Sequence, residues 1–228
     1  CADVLSEIGE RLQGCQDFDA EVQQIISEIY REHGRILFNG NGYGEDWEKE
    51  ARARGLRCVR DTVEAAEVLK EPAVRRVFEK FSVHSGVELD ARYEIVLETY
   101  SKKCAIEAKT MLSICNRQLL PAVRAYLAQQ ANEFVALGKA ELESGFLREH
   151  IYDLDENCRQ LNDQTAVLRN AVAQLGAYED PATATYCRDV LIPAMRAVRE
   201  TADYLETVVD KRFWPLPTYD EILFDEQA

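Results

Sequence analysis

Histidine, methionine and tryptophan are scarce. The 228 residues include three His, two Met and two Trp. A di-iron site in a helical bundle needs Glu-x-x-His on two helices. Here no Glu has a His three residues after it; Glu32-His33 and Glu149-His150 are adjacent pairs, which a helix places on different faces, and His84 is expected to cap a helix junction. The seven cysteines, at positions 1, 15, 58, 104, 115, 158 and 187, contain no C-x-x-C. That spacing excludes the common zinc and dithiol motifs, and an odd, small number excludes a disulfide scaffold. They are expected to be small buried apolar residues of a reduced, cytoplasmic protein, with Cys104 and Cys115 three helical turns apart on one face. Positive charge is also short: Lys and Arg total 27 against 41 Asp and Glu, a net charge of -14. Such a surface repels phosphate backbones and anionic lipid, so neither nucleic acid nor membrane is an expected partner. No apolar run approaches the roughly 18–20 residues that span a bilayer. The opening CADVLSEIGERL is amphipathic and acidic, unlike a signal peptide, and a start at Cys1 rather than Met is expected of a fragment or a processed chain.

What is present is enough apolar residue, 46%, to build a core. Eight of the eleven glycines fall at or before Gly86, so the first part should consist of short pieces joined by turns. Helices are expected at 2–13 and 19–33, the second with Val22, Ile25, Ile26, Ile29 and Tyr30 at helical spacing and Gly34 as its stop. Arg35–Phe38 reads as a short extended run. The Gly-rich Asn39–Gly44 segment reads as a turn built on positive φ. Short helices follow at 45–54, at 62–70 with Thr62 as N-cap, and at 72–81 with Pro72 in the first turn.

From Val87 the pattern changes. Positions 93, 97, 100, 104, 108, 111, 115, 119, 123 and 126/127 are apolar or small, which predicts one helix of about 50 residues kinked at Pro121. Leu147, Ile151, Leu154, Cys158, Leu161, Thr165, Leu168, Val172 and Leu175 alternate gaps of four and three, the 3.5-residue repeat of a bundle seam. A third helix over 182–212 carries Cys187, Leu191, Ala194, Val198, Thr201, Leu205 and Val208 on one stripe. The last two helices would each be roughly 45 Å long, and their short connections force antiparallel neighbours. Leu119–Ala125 echoes Leu191–Ala197. The tail, with Phe213-Trp214-Pro215-Leu216-Pro217-Thr218-Tyr219 and Ile222-Leu223-Phe224, is expected to run extended and to dock its apolar residues on the bundle or on another subunit. The fold class is therefore mainly α: short helices with a small extended segment over 1–86, a long antiparallel helical bundle over 87–212, and an extended tail over 213–228.

Chemistry is harder to find. The turn at Gly40–Gly44 is the only feature resembling a phosphate cradle, but it is G-x-G-x-G rather than G-x-G-x-x-G, and no Lys-Ser or Lys-Thr follows. Glu45 and Asp46 open the next helix and would repel a phosphate from its donor end. No Ser or Cys sits in a nucleophile elbow. No catalytic, cofactor-binding or metal residue is assigned from the residues alone.

One resemblance is specific. Arg35-Ile36-Leu37-Phe38-Asn39-Gly40-Asn41-Gly42-Tyr43, with Trp47, Glu50, Ala51 and Arg54-Gly55-Leu56, is similar to the C-terminal region of type III glutamine synthetases. So are Val87-Glu88-Leu89, Arg92-Tyr93-Glu94-Ile95, Ile106-Glu107-Ala108, Leu120-Pro121-Ala122-Val123, Tyr186-x-Arg188-Asp189, Pro193-Ala194-Met195 and Trp214-Pro215-x-Pro217-Thr218-Tyr219, all in family order. The sequence departs from the family at Gly44, where Ser is usual, and at Ala66, where Leu is common. The resemblance implies an enzyme that joins glutamate and ammonia using ATP and Mg or Mn, in a dodecamer of two stacked hexameric rings. It also implies that the catalytic residues lie upstream, so none carries over to this chain. The expected role is a non-catalytic region that packs on the catalytic core of the same enzyme and on neighbouring subunits of a homo-oligomer. Two other readings stand beside it: a free-standing helical interaction or scaffold module without activity, and a small nucleotide-binding protein using the Gly40–Gly44 turn.

Overall fold

The computed structural model describes residues 2–177, 181–217 and 219–224. Cys1, residues 178–180, Thr218 and the last four residues lie outside them. The described residues are helical with no strand among them. Two compact units divide the chain at Val96/Leu97, inside the long helix rather than at its start.

The first unit opens with α1 (Ala2–Gln13) and α2 (Phe18–His33). Asp17 caps α2, its carboxylate accepting from the Ala20 N–H. Arg11 ties the two helices together through Glu21 and Glu28, both at 2.6 Å. These polar bonds matter because little is buried: α1 has no buried residue and α2 only Ile25. Gly34 does not stop α2 by a left-handed turn. Its φ is -55°, and the chain tightens into a 3-10 turn over Gly34–Ile36, with Leu37 donating to the Gly34 carbonyl at 3.1 Å. The extended run expected at Arg35–Phe38 is thereby corrected: an i→i+3 bond consumes the groups a strand would have offered.

α3 (Glu45–Ala53) ends at Gly55, whose φ of +71° is the left-handed conformation glycine adopts without strain. Leu56 N–H reaches the Ala51 carbonyl and Gly55 N–H the Arg52 carbonyl, the paired bonds of a Schellman stop. α4 (Thr62–Glu67) is capped by Asp61, which accepts from the Glu64 N–H at 2.9 Å, not by Thr62, which is the first helical residue. The carboxylate one residue earlier supplies a charged acceptor at the positive end of the helix, which a hydroxyl cannot match. A 3-10 turn over Val68–Lys70 leads to α5 (Pro72–Lys80), with Pro72 in its first turn as expected. α6 (Gly86–Ile114) then begins. Ser85 and Glu88 form a capping box: Ser85 N–H donates to the Glu88 carboxylate at 2.7 Å, and Glu88 N–H donates to Ser85 Oγ at 3.3 Å. Ser85, not His84, is therefore the cap. Leu89 and Tyr93 on α6, with Ile25, Ala51, Val63 and Ala66, are the buried residues of this unit.

The second unit is a three-rod bundle. The first rod is the rest of α6, a π-turn at Cys115–Leu119, and α7 (Leu120–Lys139). The second is α8 (Gly145–Gln174). The third comprises α9 (Ala182–Tyr186), a π-turn at Cys187–Leu191 and α10 (Ile192–Val208). Cross-rod contacts fix direction. Arg169 donates to Asn116 Oδ1 at 3.1 Å, while His150 lies against Tyr126, so α8 runs opposite to the first rod. Tyr186 donates to the Ala171 carbonyl and Tyr204 to Asp153, so α10 runs opposite to α8. The heptad seam is the core: Leu154, Leu161 and Leu168 are fully buried. Buried Thr165 satisfies its hydroxyl on the Leu161 carbonyl at 2.7 Å.

The two π-turns explain the echo in the sequence. Proline has no N–H and its ring clashes with the carbonyl four residues back. Ahead of Pro121 and Pro193 the helix widens instead, with Leu120 donating to the Cys115 carbonyl and Ile192 to the Cys187 carbonyl, each five residues back. The extra residue delays the stripe that follows. Met195 is buried where Ala194 was expected, and Ala194 is only partly buried. The third helix also ends at Val208, short of 212; Val209 turns to the extended region at ψ 132°. Trp214 is buried, and Phe213 and Leu216 pack on the core, so the start of the tail docks as expected. The rest departs from an extended path, since Tyr219–Phe224 forms a short helix, α11. Its Ile222, Leu223 and Phe224 remain exposed.

Candidate functional site

The Gly-rich turn is a built structure. Asn41 carries it: its carbonyl accepts from the Gly44 N–H at 3.1 Å and its Oδ1 from the Tyr43 N–H at 3.0 Å. None of Gly40, Gly42 and Gly44 has the positive φ expected for them. The asparagine side chain does the turning instead. Gly40 is needed for space, because a Cβ there would lie 2.7 Å from the Phe38 ring. Phe38 packs on Trp47 with ring centroids 4.6 Å apart. Arg54 closes the base, donating to the carbonyls of Arg35 at 3.1 Å and Leu37 at 2.6 Å. At the tip Tyr43 is fully exposed.

This turn does not fit a nucleotide. Two of its N–H groups are already engaged by Asn41, and Glu45, Asp46 and Glu48 occupy the first turn of α3. Their charge oppose a phosphate at that helix end. Among the described residues no group of three or more His, Cys, Asp or Glu could hold a metal ion. His84 stacks on Phe78 with centroids 5.6 Å apart, and His150 Nε2 is 3.4 Å from the Tyr126 hydroxyl. Cys104, Cys115 and Cys158 lie in the bundle core, and burial pushes each thiol pKa up. A thiol so protonated is a poor nucleophile.

Other polar constellations were not singled out in the sequence. Tyr93, buried on α6, donates to Glu67 at 2.6 Å, and Lys70 Nζ sits 3.8 Å from its ring centroid. Burial, then the bond to Glu67, raises the Tyr93 pKa. The Ser85 backbone and side-chain donors hold Glu88 below the usual carboxylate range; the S-x-x-E spacing was a readable signal for that cap. Below the bundle, Arg212 donates from both its side chain and its backbone to Asp210, lowering that carboxyl to about 2. A depressed pKa favours the folded state above the ordinary value of 3.8, and that contribution is lost as pH falls through about 2. Arg212→Ala should therefore return the Asp210 midpoint towards 3.8, as read by carboxyl NMR titration; an unmoved midpoint would show that the pairing is not its cause.

The bundle also has an apolar groove of about 520 Å³ between α6 and α10, lined by Ile106, Met111, Ile114, Val198 and Leu216. Arg199 and Asp203 on its rim pair with each other at 3.2 Å. No helix among the described residues is long and apolar enough to cross a membrane. The arrangement as a whole offers surfaces for packing: an apolar face on α2, a braced aromatic tip and a half-docked tail.

Comparison with known proteins points the same way. A sequence model of the family described as glutamine synthetase C-terminal domain matches residues 21–137. The type-3 glutamine synthetase of Dictyostelium discoideum is 31% identical over 208 residues, covering 88% of this chain and 28% of that protein. The glutamine synthetase of Butyrivibrio fibrisolvens is 28% identical over 211 residues, covering 90% of this chain and 30% of its own length. That of Bacteroides fragilis is 26% identical over 216 residues, with 90% and 29% covered. The chain thus spans less than a third of the length of these relatives.

Proposed function

Because the chain belongs to the glutamine synthetase C-terminal domain family, we propose that it is the packing and assembly region of an ATP-dependent glutamate–ammonia ligase. In this reading the enzyme works in the cytoplasm as a homo-oligomer, and its ATP and Mg or Mn are held by parts of the enzyme outside these residues. The residues of the Gly40–Gly44 turn do not suit either group, so no step of ligation is assigned to this chain. Its work is mechanical: to present surfaces on which the catalytic core and neighbouring subunits pack.

The observation that carries the reading is the unpartnered face of α2. Ile26, Ile29 and Tyr30 share one face and are 58%, 38% and 67% exposed. Such a side chain gains about 1.5–3 kcal/mol on full burial, so a contiguous set favours a covering surface. The catalytic core of the same enzyme supplies one.

The isolated chain should therefore self-associate in sedimentation velocity across the micromolar range. Ile26→Glu combined with Tyr30→Glu should return it to monomer with unchanged far-UV circular dichroism. The same chain should form no glutamine from glutamate, ammonia and ATP. A monomeric wild-type chain would remove the packing argument, and measurable glutamine formation would remove the non-catalytic one.

A further inference from the structure

We infer that Cys104 and Cys187 are a disulfide-forming pair, reached by unwinding of α9, in which a peroxide oxidises the two thiols to a cross-link between the first and third rods of the bundle. Cys104 lies on α6, and Cys187 opens the π-turn of the third rod. They are 4% and 0% exposed, within one apolar core. The two rods are direct neighbours, since residues of both line the groove between α6 and α10. In the core the Cys187 thiol donates a hydrogen bond to the Cys104 sulfur, as does the Tyr100 hydroxyl. Two sulfurs in such contact need only a small closing movement to reach the disulfide length of about 2 Å. The backbone at Cys187 has slack for it, because its carbonyl accepts from Ile192, five residues on, where a regular helix would use the fourth. The other core thiols are placed differently. Cys115 meets the Thr165 hydroxyl, and Arg124 and Asp155 act on Cys158.

While the bundle is closed, burial shields the pair and keeps the Cys104 thiol protonated. An opening is built in beside it. The helix α9 has five residues, Ala182–Tyr186, and Cys187 follows it directly. A single turn at the end of a rod opens far more readily than the middle. Tyr186 restrains that turn, donating to the Ala171 carbonyl at 3.0 Å. Unwinding α9 bares Cys187 and the side of Cys104 that Cys187 covers.

Once bared, one thiolate attacks the peroxide: an S–O bond forms, the O–O bond breaks and water leaves. The second thiolate then attacks the sulfenic sulfur: the S–S bond forms, the S–O bond breaks and a second water leaves. Two thiols lose two protons and two electrons, and one hydrogen peroxide becomes two waters. A small dithiol reverses the change. The cross-link closes a loop of roughly 80 residues, which strips much freedom from the unfolded chain. The bundle thereby stiffens when oxidant is present.

The test uses the whole 228-residue chain with Cys1→Ser, Cys15→Ser and Cys58→Ser, so that four core thiols remain. Trypsin puts these on separate peptides, 104–109, 110–117, 149–159 and 170–188. After hydrogen peroxide, with remaining thiols alkylated in denaturant, a non-reducing digest should join 104–109 to 170–188. The product should weigh two hydrogens less than the pair, and dithiothreitol should separate it. The melting temperature should rise by at least about 8 °C. Cys104→Ala should abolish the link and the rise, and Cys115→Ala should leave both. Tyr186→Phe should speed cross-linking at least about threefold. Thiols left unreacted, sulfinic or sulfonic acid in place of the link, links through other peptides, or links joining two chains would overturn the pair. A Tyr186→Phe rate equal to that of the parent would overturn the route through α9.

Discussion

Leu161→Ala is expected to cost the bundle about 3 kcal/mol of unfolding free energy, within the range for a buried leucine truncated to alanine. Leu161 is fully buried, and so are Leu154 and Leu168, one heptad to either side of it. Truncation loses the transfer free energy of three carbons and leaves a void that rods gripped along their whole length cannot close. Urea titration should show a lower midpoint at an unchanged slope. Gln160→Ala, on the exposed neighbouring position, should stay within about 0.5 kcal/mol of wild type. A Leu161→Ala cost below about 1 kcal/mol would mean that the bundle packs through another face of α8.

Trp214 should give the second large effect, with an asymmetry that tests its environment. The ring is buried against the bundle beside Phe213, whose own ring lies 5.4 Å from Tyr126. Trp214→Ala should cost about 3–5 kcal/mol and release the tail, read as faster proteolysis after Lys211 and Arg212. The indole Nε1–H, however, is buried and has no acceptor among the described residues. An unmet donor is a penalty in the folded state. Trp214→Phe removes that penalty while keeping most of the ring, so it should cost less than about 1 kcal/mol. Equal losses from the two substitutions would show that the N–H does have a partner.

The bundle was legible in the sequence because its rule is simple. A 3.5-residue repeat from Leu147 to Leu175 has one physical solution, a seam against neighbouring rods, and short connectors leave only antiparallel order. Where single residues decide, the pattern said less. Thr62 and Asp61 are both good caps, and only the register at which α4 starts separates them. Arg35–Phe38 has strand-like composition, yet a strand needs a second strand, and the helix end captured the donor first. Ile26, Ile29 and Tyr30 recur at helical spacing, but spacing gives a face and not what covers it. The candidate site was legible only as a motif: the glycines were visible, whereas their reason was not. One glycine makes room for Phe38, and the bend itself belongs to Asn41.

The widened turns before Pro121 and Pro193 bear on how such rods change over generations. A normal spiral tolerates no indel in its middle, since one amino acid more or less rotates everything beyond it by about 100°. At Cys115–Leu119 and Cys187–Leu191 the surplus amino acid is already stored. Losing it, together with the imino acid that demands the slack, would return each rod to uniform pitch, making these two places the natural slots for length variation inside an otherwise unalterable frame.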